Sequence, residues 1–136
     1  MIIAVDFDGT IVEHDYPRIG KEKPFALETL RNLSRQGHKI ILWTARDGAL
    51  LDEAVEFCRK GGVEFYAINS NTPQKGLNFG KSGFSAKVTA DVYIDDRNIG
   101  GIPDWGSIYE MISGKHMEQH RRRKKGLLHR LRERFQ

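Results

Sequence analysis

A chain of 136 residues with 39% hydrophobic content has material for one compact domain around a single core and no room for a second. Its one cysteine, Cys58, excludes an intramolecular disulfide, and no basic segment followed by a long apolar run marks a signal peptide or membrane span, so a soluble protein of a reducing, cytoplasmic compartment is expected. The net charge of +4 is unevenly placed: residues 115–136 carry nine Lys/Arg against two acids, for +7, and the remainder carries −3. Affinity for polyanions therefore belongs to a basic tail attached to a mildly acidic domain.

In chain order, Ile2-Ile3-Ala4-Val5 is a β-branched-rich run of the kind that forms a strand buried on both faces of a parallel sheet. It ends in Asp6-Phe7-Asp8-Gly9-Thr10, two carboxylates one residue apart at the carboxyl end of a strand, where open α/β sheets bind ligands. Gly9 lets the backbone turn straight after them. An acidic turn accounts for Gly9 but not for two acids spaced to straddle one small ligand. After Pro24, the stripe Phe25, Leu27, Leu30 and Leu33 predicts a helix ending near Gly37. Lys39–Trp43 reads as a second buried strand, running into Thr44-Ala45-Arg46. Asp47 is placed to cap the next helix, whose Leu50, Leu51, Ala54, Phe57 and Cys58 recur at helical spacing until Gly61-Gly62. Glu64–Ile68 predicts a third strand, and residues 69–84 a long loop rich in Asn, Gly and Ser. Ser85–Ala90 is expected to form a short helix or turn leading to a fourth strand, Asp91–Ile94, which ends in Asp95-Asp96.

Strands alternating with crossover helices predict a small three-layer α/β fold on a central parallel sheet with right-handed connections. In such a sheet the carboxyl ends of all strands share one edge. Asp6, Asp8, Thr44, Asp95 and Asp96 then converge on one point, and four carboxylates together need a cation. Oxygen ligands with no His or Cys at metal spacing select Mg²⁺ over zinc.

The set Asp6-x-Asp8-Gly9-Thr10, Thr44 after an apolar strand, Lys87, and Asp95-Asp96 after another strand resembles, in order, the four motifs of the haloacid dehalogenase-like (HAD) hydrolase superfamily. The resemblance covers residues 2 to about 106. It is strongest to the small capless members, through the string Lys87 to Asn98 and the Gly-Gly-Ile-Pro-Asp-Trp-Gly segment from Gly100 to Gly106. It implies a capless HAD-type, Rossmann-like domain over residues 1–114, with residues 115–136 as a basic tail that is partly helical or disordered.

The resemblance also implies a reaction, Mg²⁺-dependent hydrolysis of a phosphate monoester. Asp6 would be the nucleophile that forms an aspartyl-phosphate. Asp8 would protonate the leaving alcohol and later deprotonate the hydrolytic water. Mg²⁺ would be held by Asp6, the main-chain oxygen of Asp8 and a final acid, Asp96 directly and Asp95 behind it. Thr44, with the N–H groups of Phe7, Asp8 and Ala45, would bind the phosphoryl oxygens. Lys87 is taken as the motif lysine over Lys75 and Lys81, because it stands eight residues before Asp95 and opens the matching string. Arg46, Arg18 and Arg97 are candidates to recognise a second anionic group, and His14 falls near the mouth of the site. Asp8 occupies a position where dehalogenase and ATPase branches carry another residue, which favours a phosphatase.

No cap fits between the motifs, so the site is expected to be open. It would be covered by a large phosphorylated substrate, by a second subunit, or over a small phosphorylated molecule by the segments 12–18 and 69–84. The alternative is a catalytically weak binding protein on the same scaffold that engages nucleic acid or another polyanion through its tail. In that tail, Arg121-Arg122-Arg123-Lys124-Lys125 precedes Leu127, Leu128, Leu131 and Phe135, an apolar stripe on a basic helix. Gly126 weakens its continuity. An anionic membrane, nucleic acid, a second subunit and plain solvation all remain open for it.

Overall fold

The computed structural model describes residues 1–73 and 87–134, with side chains at all of these except 115–117, 119 and 120. The elements run β1 (Ile2–Val5), α1 (Ala26–Arg35), β2 (Lys39–Leu42), α2 (Gly48–Lys60), β3 (Ala67–Ile68), β4 (Val92–Ile94) and α3 (Trp105–Arg134). All four strands are parallel, in the order β3-β2-β1-β4. Val5 is in register with Leu42 on one side and Ile94 on the other, which brings Asp6, Trp43 and Asp95 to the sheet edge together.

The strands alternate strictly. Ile3, Val5, Ile40 and Leu42 point into the main core, where they meet Leu27, Leu30 and Leu33 of α1, Leu51, Ala54 and Cys58 of α2, and Trp105, Ile108 and Ile112 of α3. Ala4, Ile41 and Ala67 point the other way, onto Val88 with Trp43 and Tyr93 beside it. The three described helices thus lie on one face. The expected third layer is not supplied by a helix among the described residues: Val88 and Ala90, in a stretch without regular structure, cover the second face. Burial on both faces explains why the strands read as continuous apolar runs rather than as alternating ones.

Several boundaries differ from expectation. Phe25 does not join the α1 stripe; it stands at the N-cap position with φ 65° and is 66% exposed, while Glu22 supplies the cap by accepting from the Leu27 N–H at 3.0 Å. Asp47 holds the N-cap position of α2 but makes no capping hydrogen bond through its side chain. β3 has two residues instead of five, because it pairs only with β2 and the approach is drawn towards α2 by the Val63 N–H donating to the Cys58 carbonyl at 2.9 Å. Residues 87–90 of the expected short helix are irregular, and Ser85 and Ala86 lie outside the described residues. The boundary expected at 114/115 falls inside α3, which continues through Gly126 to Arg134.

Candidate functional site

Chain order and sheet order part company at β1. The chain moves one way through β1, β2 and β3 and then returns to place β4 on the opposite side of β1, which makes the β1–β4 junction a topological switch point. The acids gather there. One carboxylate oxygen from each of Asp6, Asp95 and Asp96 lies within 4.8 Å of the others.

The backbone after β1 builds this arrangement. The Phe7 carbonyl accepts from the N–H groups of Thr10, Ile11 and Val12 at 3.1, 3.0 and 3.3 Å, wrapping the chain into a single tight turn. Gly9, at φ 81°, makes the turn and leaves space: a Cβ there would sit 2.2 Å from Asp96 Oδ2. Thr10 is fully buried and acts as the strut. Its hydroxyl donates to Asp6 Oδ2 at 3.3 Å and accepts from the Asp96 N–H at 3.0 Å, while its carbonyl accepts from Trp105 Nε1 at 3.0 Å. The first residue of α3 therefore braces the turn that positions two of the three acids.

Burial, above all, pushes the Asp6 carboxyl up to about 7; a hydrogen bond from the Phe7 N–H works against this, and the charges of Asp95 and Asp96, with a hydrogen bond shared with Asp96, add to it. The two neighbouring acids have different surroundings. Asp95 Oδ1 accepts from the Arg97 N–H at 2.8 Å and its carbonyl accepts from Asn98 Nδ2 at 2.7 Å. Asp96 Oδ1 is buried without a hydrogen-bond partner among the described residues. A buried carboxylate oxygen of this kind, next to two further carboxylates, is what a hard cation would satisfy, so the donor set fits a divalent oxygen-loving ion. Asp96 offers the open ligand atom, and Asp95 is partly occupied by its own turn.

Asp8 is not part of this group through its carboxylate. It forms a two-pronged ion pair with Arg46, Nε to Oδ2 and Nη2 to Oδ1, both at 2.7 Å. The Arg46 side chain is 1% exposed, stacked between the rings of Phe7 and Tyr16 at 5.1 and 5.2 Å, and it also donates to the carbonyls of Arg18 and Leu50. A guanidinium so buried and so fully engaged does not face a second anionic group on a ligand, as the sequence suggested, but fastens the loop after β1 to the segment after β2. Arg18 and Arg97 are exposed, Arg18 against Asp15, and His14 is exposed.

Thr44 is half-buried. Its N–H donates to Asn69 Oδ1 at 2.8 Å and its hydroxyl oxygen accepts from the Arg46 N–H at 3.1 Å, which leaves the hydroxyl proton free to donate. Among the described residues the N–H groups of Asp8 and Ala45 make no hydrogen bond. The Phe7 side chain is in the core. Lys87 is exposed with its ammonium 5.2 Å from the centre of the Tyr93 ring, and no hydrogen bond or ion pair among the described residues joins it to the acids. Lys75 and Lys81 lie outside the described residues.

Two residues of the site escaped the sequence reading. Thr10 stood within the opening motif but was given no role. Asn69 sits directly after β3 at φ 50°, its N–H donating to the Leu42 carbonyl at 2.7 Å, and so ties the end of β3 to Thr44. A polar residue closing an apolar strand was the only signal for it.

Fold and site together define a parallel α/β protein with an acidic cluster at its switch point. A solved structure of a conserved protein from Bacteroides thetaiotaomicron is similar to this chain, with 62% sequence identity, a TM-score of 0.76, and coverage of 85% of this chain and 91% of that one. The chain belongs to the same family as that protein. No protein-family model and no curated protein matches the sequence.

Proposed function

We propose that the protein is a Mg²⁺-dependent phosphomonoesterase of the capless HAD type, with Asp6 as nucleophile. The observation that carries this reading is the placing of Asp6 at the tip of the central strand, beside Asp95 and an Asp96 whose inner oxygen is buried without a partner.

Asp6, Asp96 and, less directly, Asp95 would hold the ion. When bound, Mg²⁺ would supply the positive charge that offsets repulsion between the acids and an incoming phosphate dianion. A proton on Asp6 would prevent attack, so the cation charge also favours the ionised, reactive form of a carboxyl otherwise pushed up to about 7.

An ionised Asp6 oxygen forms a bond to phosphorus as the bond from phosphorus to the alcohol oxygen breaks, and the alcohol oxygen takes a proton from Asp8. Water then attacks phosphorus, Asp8 takes its proton, and the bond from phosphorus to Asp6 breaks to release inorganic phosphate. Arg46 donates to both Asp8 oxygens and so orients that carboxyl for the second step. The proton it takes from water is the one it gives to the next leaving alcohol, for which it turns one oxygen away from the guanidinium, which keeps its bonds to the Arg18 and Leu50 carbonyls. The Thr44 hydroxyl and the N–H groups of Asp8 and Ala45 are the donors available to phosphoryl oxygens. Lys87 contributes charge only if it leaves the Tyr93 ring.

The test is phosphate release from an aryl phosphate by the purified protein. Release that requires added Mg²⁺ and falls by about 10³-fold or more in Asp6→Asn supports the reading. No release from aryl phosphates or from a broad panel of phosphorylated metabolites and polynucleotides contradicts it.

A further inference from the structure

Helix α3 has two unlike halves. Trp105, Ile108 and Ile112 bury its first turns in the core, whereas from Gly114 to Arg134 no described side chain is buried. At 1.5 Å per residue this half of the helix is about 30 Å long.

The exposed half carries an ordered surface. With the usual rotation of about 100° per residue, Leu127, Leu131 and Leu128 fall within one arc of about 100°; they are 59%, 42% and 61% exposed. Arg123 and Arg134 border that arc beside Leu127, and Arg121, Lys125 and Arg132 border it beside Leu128. Lys124 lies within it, one turn before the leucines. The two acids of the exposed half are already engaged along the helix, Glu118 with Arg122 and Glu133 with His129. Among the described residues the remaining cations have no ion pair.

We propose that this segment lies on an anionic lipid surface, its leucines in the acyl boundary and the flanking Arg and Lys at the level of the lipid phosphates. Charge complementarity selects this occupant. A narrow apolar stripe bordered on both sides by cations matches a layer that is apolar below and negative above, and long basic side chains reach outward from such a depth. Nucleic acid would use the cations but leave three leucines wet. Pairing of two copies through the leucines would set the bordering cations of one helix against those of the other. Among the described residues no helix is long and apolar enough to cross a membrane, so the segment lies along the surface. The proposal is independent of the chemistry at Asp6.

The experiment is co-sedimentation of the full-length protein with vesicles of phosphatidylcholine alone or mixed with phosphatidylserine. Binding to the mixed vesicles is expected, weakened by salt and at least about 100-fold weaker on phosphatidylcholine alone. The triple substitution Leu127→Gln, Leu128→Gln, Leu131→Gln keeps every charge and touches no buried contact; it is expected to lower binding about tenfold or more with the melting temperature unchanged. The proposal is overturned by failure to bind mixed vesicles, or by equal binding of the triple variant. It is also overturned if the protein binds a polynucleotide but no vesicle, or if the leucines hold copies together in sedimentation without vesicle binding.

Discussion

Asp6 is asked to be ionised by its proposed task and neutral by its surroundings. Burial, with Asp95 and Asp96 close by, raises its carboxyl from 3.8 to about 7. The folded metal-free protein therefore keeps this proton over a range where the unfolded chain has lost it, and the contribution of Asp6 to stability is full below the unfolded value and falls as pH rises towards 7. Denaturant unfolding between pH 4 and 7 in the presence of a chelator is expected to give a loss of stability with rising pH that is reduced in Asp6→Asn. Equal slopes in the two proteins would place the proton elsewhere. The strand-end acids were readable because an apolar run that stops abruptly at a carboxylate marks where a buried strand reaches the polar edge of its sheet. Thr10 was harder to read: its value lies in joining Asp6 to Asp96, 86 residues from itself, and nothing local announces that contact.

At the scale of elements, the Arg46–Asp8 pair joins the end of β2 to the loop after β1, and through the Arg18 carbonyl to the segment between residues 13 and 21. Sequence reading found both residues but assigned Arg46 to a ligand, since a cation beside a strand end looks the same whether it faces solvent or a carboxylate 38 positions away. Removing the cation leaves a largely buried carboxylate without its partner. Arg46→Met is expected to destabilise the protein by about 3–5 kcal/mol, measured by chemical denaturation, and Asp8→Asn in the same chain to recover part of that loss. A loss below about 1 kcal/mol would mean that water already screens the pair. The order of strands and helices was legible because apolar periodicity survives in the sequence. The shortness of β3 and the placing of the three described helices on one face were not, because both depend on which neighbours a strand finds.

For the whole molecule, the order β3-β2-β1-β4 matters most, since it alone turns acids 89 residues apart into neighbours at one crevice. The change of composition near residue 115 was equally plain in the sequence, yet it marks no break in the chain, for α3 runs straight from core-bound to exposed surface. What composition recorded was a change of surroundings. The central claim, attack by Asp6 on phosphorus, is open to direct chemical capture. Turnover with Mg²⁺ and an aryl phosphate, quenched in acid and reduced with borohydride, converts an aspartyl-phosphate to homoserine that peptide mass spectrometry can place. Homoserine is predicted at position 6, only when both substrate and Mg²⁺ were present; phosphate release with an unchanged Asp6 and no reduced residue anywhere would contradict it.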